Sequence, residues 1–251
     1  MALMEFLTAN LLNTTTLMTM QAANTGTAAY AFDRNISLGF TSVNYNSTTA
    51  SVISITFPQA TVISNVMLQN HNLRDFRIYY NSVTANSIIA TTTNSATSTY
   101  TLFASVTVNS IDIQMNNTIT GSSEKAFGEF VVAERRLQFV RNPSTENYIA
   151  AIKRKQIIHE MPDGGVKVYN IRDKFNANLK WQFITDAFRS SLLTEYNRAL
   201  PIYFVPFPTT TGWSGDAYEV LVTGDFDFRY GENSKTQGWN GGLTIRQTAG
   251  G

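Results

Sequence analysis

The sequence predicts a mainly β protein made of two β-sandwiches in series, the second carrying one packed α-helix. Three observations predict this. Short apolar runs rich in β-branched and aromatic residues recur between polar turns, as at residues 52–57, 76–80 and 218–222. One segment alone repeats apolar residues at helical spacing. Charge is also distributed unevenly. Residues 1–120 hold only Arg34, Arg74 and Arg77 against Glu5, Asp33, Asp75 and Asp112, and the other 16 basic and 14 acidic residues follow. That change, with the strand pattern closing at Val131-Val132, sets the expected boundary: residues 1–133 in one sandwich and 134–251 in the other.

The helix is expected over residues 185–200. Thr185 or Asp186 can cap it, and Phe188, Leu192, Tyr196 and Leu200 then recur every fourth residue on one stripe, with Arg189, Glu195 and Arg198 elsewhere. Pro201 stops it, having no amide hydrogen to give. Before it, Leu179, Trp181 and Phe183 alternate with polar residues as a half-buried strand, and residues 202–207 read as the next strand.

Composition excludes several classes of function. An apolar fraction of 43% supplies sizeable cores, and a formal charge of +1 argues against steering by bulk charge. No sequence-specific nucleic-acid recognition is expected. With no cysteine there is no disulfide, thiol catalysis or cysteine-zinc site. No stretch reaches the ~20 apolar residues of a membrane helix. Met1-Ala2-Leu3-Met4-Glu5 lacks the basic start and long apolar run of a signal peptide, so synthesis and assembly in the cytoplasm are expected.

In the first half, strands are expected at residues 52–57, 62–68, 76–80, 100–103 and 106–115, with Pro58 breaking the first pair apart and residues 90–99 forming a polar loop. The elements Asn10-Leu11-Leu12, Ala31-Phe32-Asp33, Phe40-Thr41-Ser42, Ser54-Ile55-Thr56-Phe57 and Ile63-Ser64-Asn65-Val66 follow one another in order. The segment 105–113 then leads into Phe127-Gly128-Glu129-Phe130-Val131-Val132. This order resembles discoidin-like (F5/8 type C, galactose-binding-like) jelly-roll domains over residues 8–133. Phe40 stands where that family usually has tryptophan, and the cysteine pair that often ties its termini is missing. The resemblance implies glycan or lipid-head-group binding through loops at one end, here residues 35–45 and 70–74. Tyr45 would supply an aromatic platform and His71, Asn72 and Arg74 the fixed polar groups of such a site. The alternative is that all four are ordinary loop residues.

In the second half, Pro162-Asp163-Gly164-Gly165 marks a hairpin between residues 153–161 and 166–171. Phe226, Phe228 and Tyr230 alternate with Asp225, Asp227 and Arg229, and residues 243–247 read as the last strand. Asp225 and Asp227 share a face that can meet a cation or simply water, and the Lys153-Arg154-Lys155 run can meet phosphates, solvent or a neighbouring subunit. His159-Glu160 lacks the second histidine of a zinc protease, and there is no nucleophile elbow or phosphate loop. No catalysis, metal or cofactor is expected.

The order charged strand, long hairpin, strand, helix and further strands, over residues 128–248, resembles the sandwich-plus-helix domain of phage tail-tube and distal tail proteins. It implies a structural virion protein, assembled in the host cytoplasm, that forms a homo-oligomeric ring with other tail proteins and presents the first sandwich to a host-surface glycan. The hairpin residues Lys153, Lys155, Val166, Val168 and Ile171 would form the subunit contact, or else a charged edge that keeps a monomer soluble. The other reading is a surface or secreted glycan-binding module without catalysis.

Overall fold

The computed structural model describes residues 3–12, 17–20, 28–32, 39–42, 50–121, 124–144, 149–161, 165–206, 208, 217–232 and 237–248. The first strands are β1 (Glu5–Leu7), β2 (Leu17–Met20), β3 (Phe40–Thr41), β4 (Ser51–Gln69), β5 (Leu73–Tyr80), β6 (Ser87–Thr91) and β7 (Thr99–Thr118). Then come β8 (Ala126–Phe127), β9 (Glu129–Ala133), β10 (Arg135–Gln138), β11 (Ile149–Glu160) and β12 (Val166–Ile184). Helix α1 (Asp186–Arg198) precedes β13 (Ile202–Val205), β14 (Tyr218–Glu232) and β15 (Gln237–Gln247). The fold is mainly β, antiparallel, with a single α-helix among the described residues.

The first sandwich is built on β4 and β7, which pair along most of their length in a sheet ordered β2-β4-β7-β5-β6, with β9 also on β4. Ile53, Ile55, Ile111, Ile113 and Met115 share a core with Phe40 and Phe127 from the small β3–β8 sheet. The two strands expected on either side of Pro58 are one strand. Pairing with β7 lapses between Thr56 and Thr61 and then resumes, because a proline can sit in a strand where no ladder bond is asked of it. The polar loop expected at 90–99 is shorter, since β6 runs to Thr91 and β7 starts at Thr99.

The second sheet has the order β10-β1-β13-β14-β15-β12-β11, and α1 packs on its inner face. Fully buried Phe139 is the centre of this core: Phe6, Trp181 and Phe188 meet it edge-on with ring centroids 5.0, 5.4 and 6.0 Å away. The helix begins as expected, the Thr185 hydroxyl accepting from the Phe188 amide at 3.3 Å. It ends earlier, at Ala199 with φ +52°, so Leu200 falls beyond the cap and is exposed. Glu195, expected off the apolar stripe, is buried and held by Arg198 at 3.3 Å. The hairpin strand and the strand before the helix are also one element: β12 runs 19 residues. Likewise β14 joins two expected strands through Gly224, whose φ of +79° suits a residue without a Cβ.

The N-terminus departs from the expected boundary. The division put residues 1–133 in the first sandwich, yet Glu5, Phe6 and Leu7 are a strand of the second sheet, opposite Val205, Phe204 and Tyr203 on one side and β10 on the other. The chain leaves that sheet after Leu7, builds the first sandwich, and returns at Arg135 beside Leu7. A neck joins the crossings: the Thr8 amide donates to the Glu134 carbonyl at 2.9 Å, and the Glu134 amide to the Thr8 hydroxyl at 3.0 Å. The reason is local. Phe6 completes the aromatic core, its ring 5.0 Å from Phe139 and 5.8 Å from Phe204. A buried cluster of Leu7, Tyr203 and Val205 with Met67, Tyr100, Val131 and Ala133 then joins the two sandwiches.

Candidate functional site

Of the four residues expected to bind a ligand, His71 and Asn72 lie in the turn between β4 and β5, and Arg74 is the second residue of β5. Asn70 adopts φ +50° in that turn, and the chain reverses through His71 and Asn72. His71 is 2% exposed. Its Nδ1 accepts from the Leu73 amide at 3.2 Å, so Nε2 carries the proton and donates to the Thr99 hydroxyl at 2.9 Å. The ring also lies edge-on to Phe76 at 5.3 Å. Burial pushes its pKa down to about 4, so it is neutral at pH 7. With Nδ1 occupied and Nε2 donating, it has no lone pair to activate Thr99 or hold a metal.

Asn72 is spent in the same way. Its Oδ1 accepts from the Ala126 amide at 2.9 Å and its Nδ2 donates to the Glu124 carbonyl at 2.7 Å. Its own carbonyl accepts from the Ile119 amide. His71 and Asn72 therefore clamp the turn, and their polar atoms face protein rather than solvent.

Arg74 is different. It is exposed, and its guanidinium has no protein partner among the described residues. It lines a polar depression of about 360 Å³ with Thr92, Asn117, Thr118 and Gly121. Next to it, Asp75, Arg77, Gln114 and Asn116 line a second depression of about 210 Å³, where Asn116 Nδ2 donates to Asp75 Oδ1 at 2.9 Å. Thr92, Asn116 and Asn117 were not expected in a site, because β7 meets β5 only through pairing across some forty residues of sequence. Tyr45 lies outside the described residues.

The hairpin residues occupy an unusual place. β15 pairs with β12 only from Asn176 onward, and Lys174 and Phe175 still bond Gln247, so residues 166–173 are paired with β11 alone, and β11 is the sheet edge. The hairpin thus extends beyond the sheet as a two-stranded ribbon. Val166 is 59% and Val168 52% exposed, and Ile158, opposite Val168, is 61% exposed. Lys153, Lys155 and Ile171 lie in these strands, with side chains outside the description.

Among the described residues no group of three or more His, Asp or Glu is placed to hold a metal ion, and Asp227 pairs with Arg229 at 3.3 Å. Among the described residues no helix is long and apolar enough to cross a membrane.

No protein-family model matches the chain. No curated protein sequence matches it either. Several solved structures resemble about half of it. One is chitosan-binding module 1 from a Paenibacillus sp. IK-5 chitosanase/glucanase, 16% identical, covering 50% of this chain and 98% of the module, with a TM-score of 0.42. Another is CpGH89CBM32-5 from Clostridium perfringens, in complex with GalNAc-β-1,3-galactose, at 14% identity, 47% and 94% coverage and a TM-score of 0.38. A Ruminococcus gnavus GH29 fucosidase in complex with fucose is 14% identical over 50% of this chain and 26% of its own, with a TM-score of 0.41. Identities and scores this low say nothing about what this chain binds.

Proposed function

We propose that the protein is a non-catalytic carbohydrate-binding protein that takes a glycan at the Arg74 end of its first sandwich. The observation that carries this reading is the unpartnered, exposed Arg74 in a depression otherwise walled by hydroxyl and amide side chains. Hydroxyls and planar amides both donate and accept, as vicinal sugar hydroxyls require, and a guanidinium adds planar, directional donors. His71 and Asn72 hold the turn that presents Arg74 and do not touch the ligand. Glycan-array screening followed by calorimetry tests the reading. Arg74→Ala is expected to weaken binding of any ligand found by about 1.5–3 kcal/mol, the usual worth of a charged hydrogen bond, without moving the melting temperature. An array without a ligand, or full affinity in that variant, refutes it.

A second reading is supported by the ribbon β11–β12. A structural tail protein of a virion, assembled as a homo-oligomeric ring, would use such an edge to pair with a neighbouring copy, and would present the glycan-binding sandwich outward. Exposed Ile158, Val166 and Val168 on an unpaired edge favour association over solubility. Light scattering after size exclusion decides it: rings for the native chain and monomers for Ile158→Asp/Val168→Asp support assembly, and monomers for both refute it.

A further inference from the structure

The outer face of the seven-stranded sheet has an open socket of about 460 Å³, lined by both polar and apolar surface, that neither reading uses. Strand register sets its place. Gly242 on β15 stands between Lys180 on β12 and Asp227 on β14. The two charged residues are therefore two strand spacings apart, about 10 Å between backbones. A side chain at position 242 would fill the space between them. None fits, because a Cβ there would lie 2.5 Å from the Leu179 carbonyl oxygen. One row along, the Thr244 hydroxyl donates to Asn178 Oδ1 at 3.0 Å, which fixes that amide and leaves its Nδ2 uncommitted. Gln182 lines the same socket, and its side chain has no protein partner among the described residues.

The charges decide what such a socket can hold. Asp227 is already answered by Arg229 on its own strand. The ammonium of Lys180 has no counter-charge among the described residues. A ligand must therefore bring an anionic group to one wall and hydrogen-bond donors to the other, with hydroxyls between for the two amides. The volume lies within the range of small-molecule sites.

We propose that this socket binds a carboxylated pyranose, a hexuronic acid residue. Its carboxylate meets Lys180, its ring hydroxyls meet Asn178 and Gln182, and a vicinal hydroxyl pair donates to the Asp227 carboxylate. This site is on the other sandwich from Arg74 and does not depend on the reading given for it.

NMR titration of the full chain with glucuronic acid and with glucose, which share a ring and differ at one carboxylate, tests the assignment. Glucuronic acid is expected to bind at least tenfold more tightly than glucose, and less tightly as salt is added. Lys180→Met keeps the length of the side chain and is expected to remove that tenfold preference. Asp227→Asn is expected to weaken both sugars, and Arg74→Ala neither. Lys180 and Asp227 are exposed, so unchanged melting curves accompany these effects. Absence of glucuronic acid binding, equal affinity for the two sugars, unaltered binding in Lys180→Met, or loss of binding in Arg74→Ala overturns the proposal.

Discussion

Replacing Glu5 by glutamine is expected to stabilise the protein at pH 8 and to leave it nearly unchanged at pH 4. Glu5 is fully buried in β1, and neither carboxylate oxygen has a hydrogen-bond partner. Burial raises its pKa from 4.5 to about 7, against the opposing pull of Arg135. The sign follows from proton counting. Between pH 4.5 and 7 the folded chain holds a proton that the unfolded chain has released, so stability falls as pH rises through that window and is flat above it. At about 1.36 kcal/mol per pH unit the loss is about 3 kcal/mol. Glutamine keeps the size and the neutral polarity of the protonated acid and cannot ionise, so it recovers up to that amount above pH 7. His71 works the other way. Its pKa is lowered from 6.5 to about 4, so its contribution is complete above pH 6.5 and is lost as pH falls toward 4. The two slopes oppose each other over nearly the same range, and they flatten the profile of the native chain between pH 4.5 and 6.5. Urea denaturation of the native and Glu5→Gln chains at pH 4, 6 and 8 measures the difference directly. A difference that does not grow with pH, or a variant less stable at pH 8, refutes the reasoning.

Residues 134–251 expressed alone are expected not to fold cooperatively, because they lack β1 and leave the place of Phe6 empty; circular dichroism melting of this fragment, with and without residues 3–8 restored ahead of β10, checks this. Phe139→Ala is expected to cost about 3–5 kcal/mol in chemical denaturation, since that ring is fully buried and touches Phe6, Trp181 and Phe188. Thr185→Ala is expected to cost about 1 kcal/mol in the same assay, by removing the hydroxyl that caps α1.

Local signals carried much of the architecture. Phe188 and Leu192 at helical spacing located α1, and the alternation through Leu179 and Trp181 located the inner face of β12. What depended on distant partners was not legible. The segment Glu5-Phe6-Leu7 has no alternation long enough to mark a strand, and its neighbours on β13 lie almost two hundred residues away. His71 sits in a polar run that reads as a loop, and nothing in that run announces Thr99 and Phe76 closing over the ring. The Lys180–Asp227 socket arises only when three strands are in register. One signal for it was present in the chain: adjacent Gly241 and Gly242 within a strand often mark close approach of another group.

The neck at Thr8 and Glu134 has a mechanical consequence. Because Leu7 faces Arg135 across one antiparallel pair, the first sandwich is a cassette clipped in at two adjacent strands rather than hung on a single tether. A single tether lets a domain swivel, whereas two anchors side by side, backed by the packed seam of Leu7, Met67 and Tyr203, resist torsion. Pull applied to the cassette loads both anchors together and is spread from β10 and β1 through β13 into the rest of the seven-stranded sheet. The same geometry makes the cassette exchangeable. A short turn from residue 8 to residue 134 would close β1 and β10 into an ordinary hairpin, and any domain whose ends lie equally close could be set in its place.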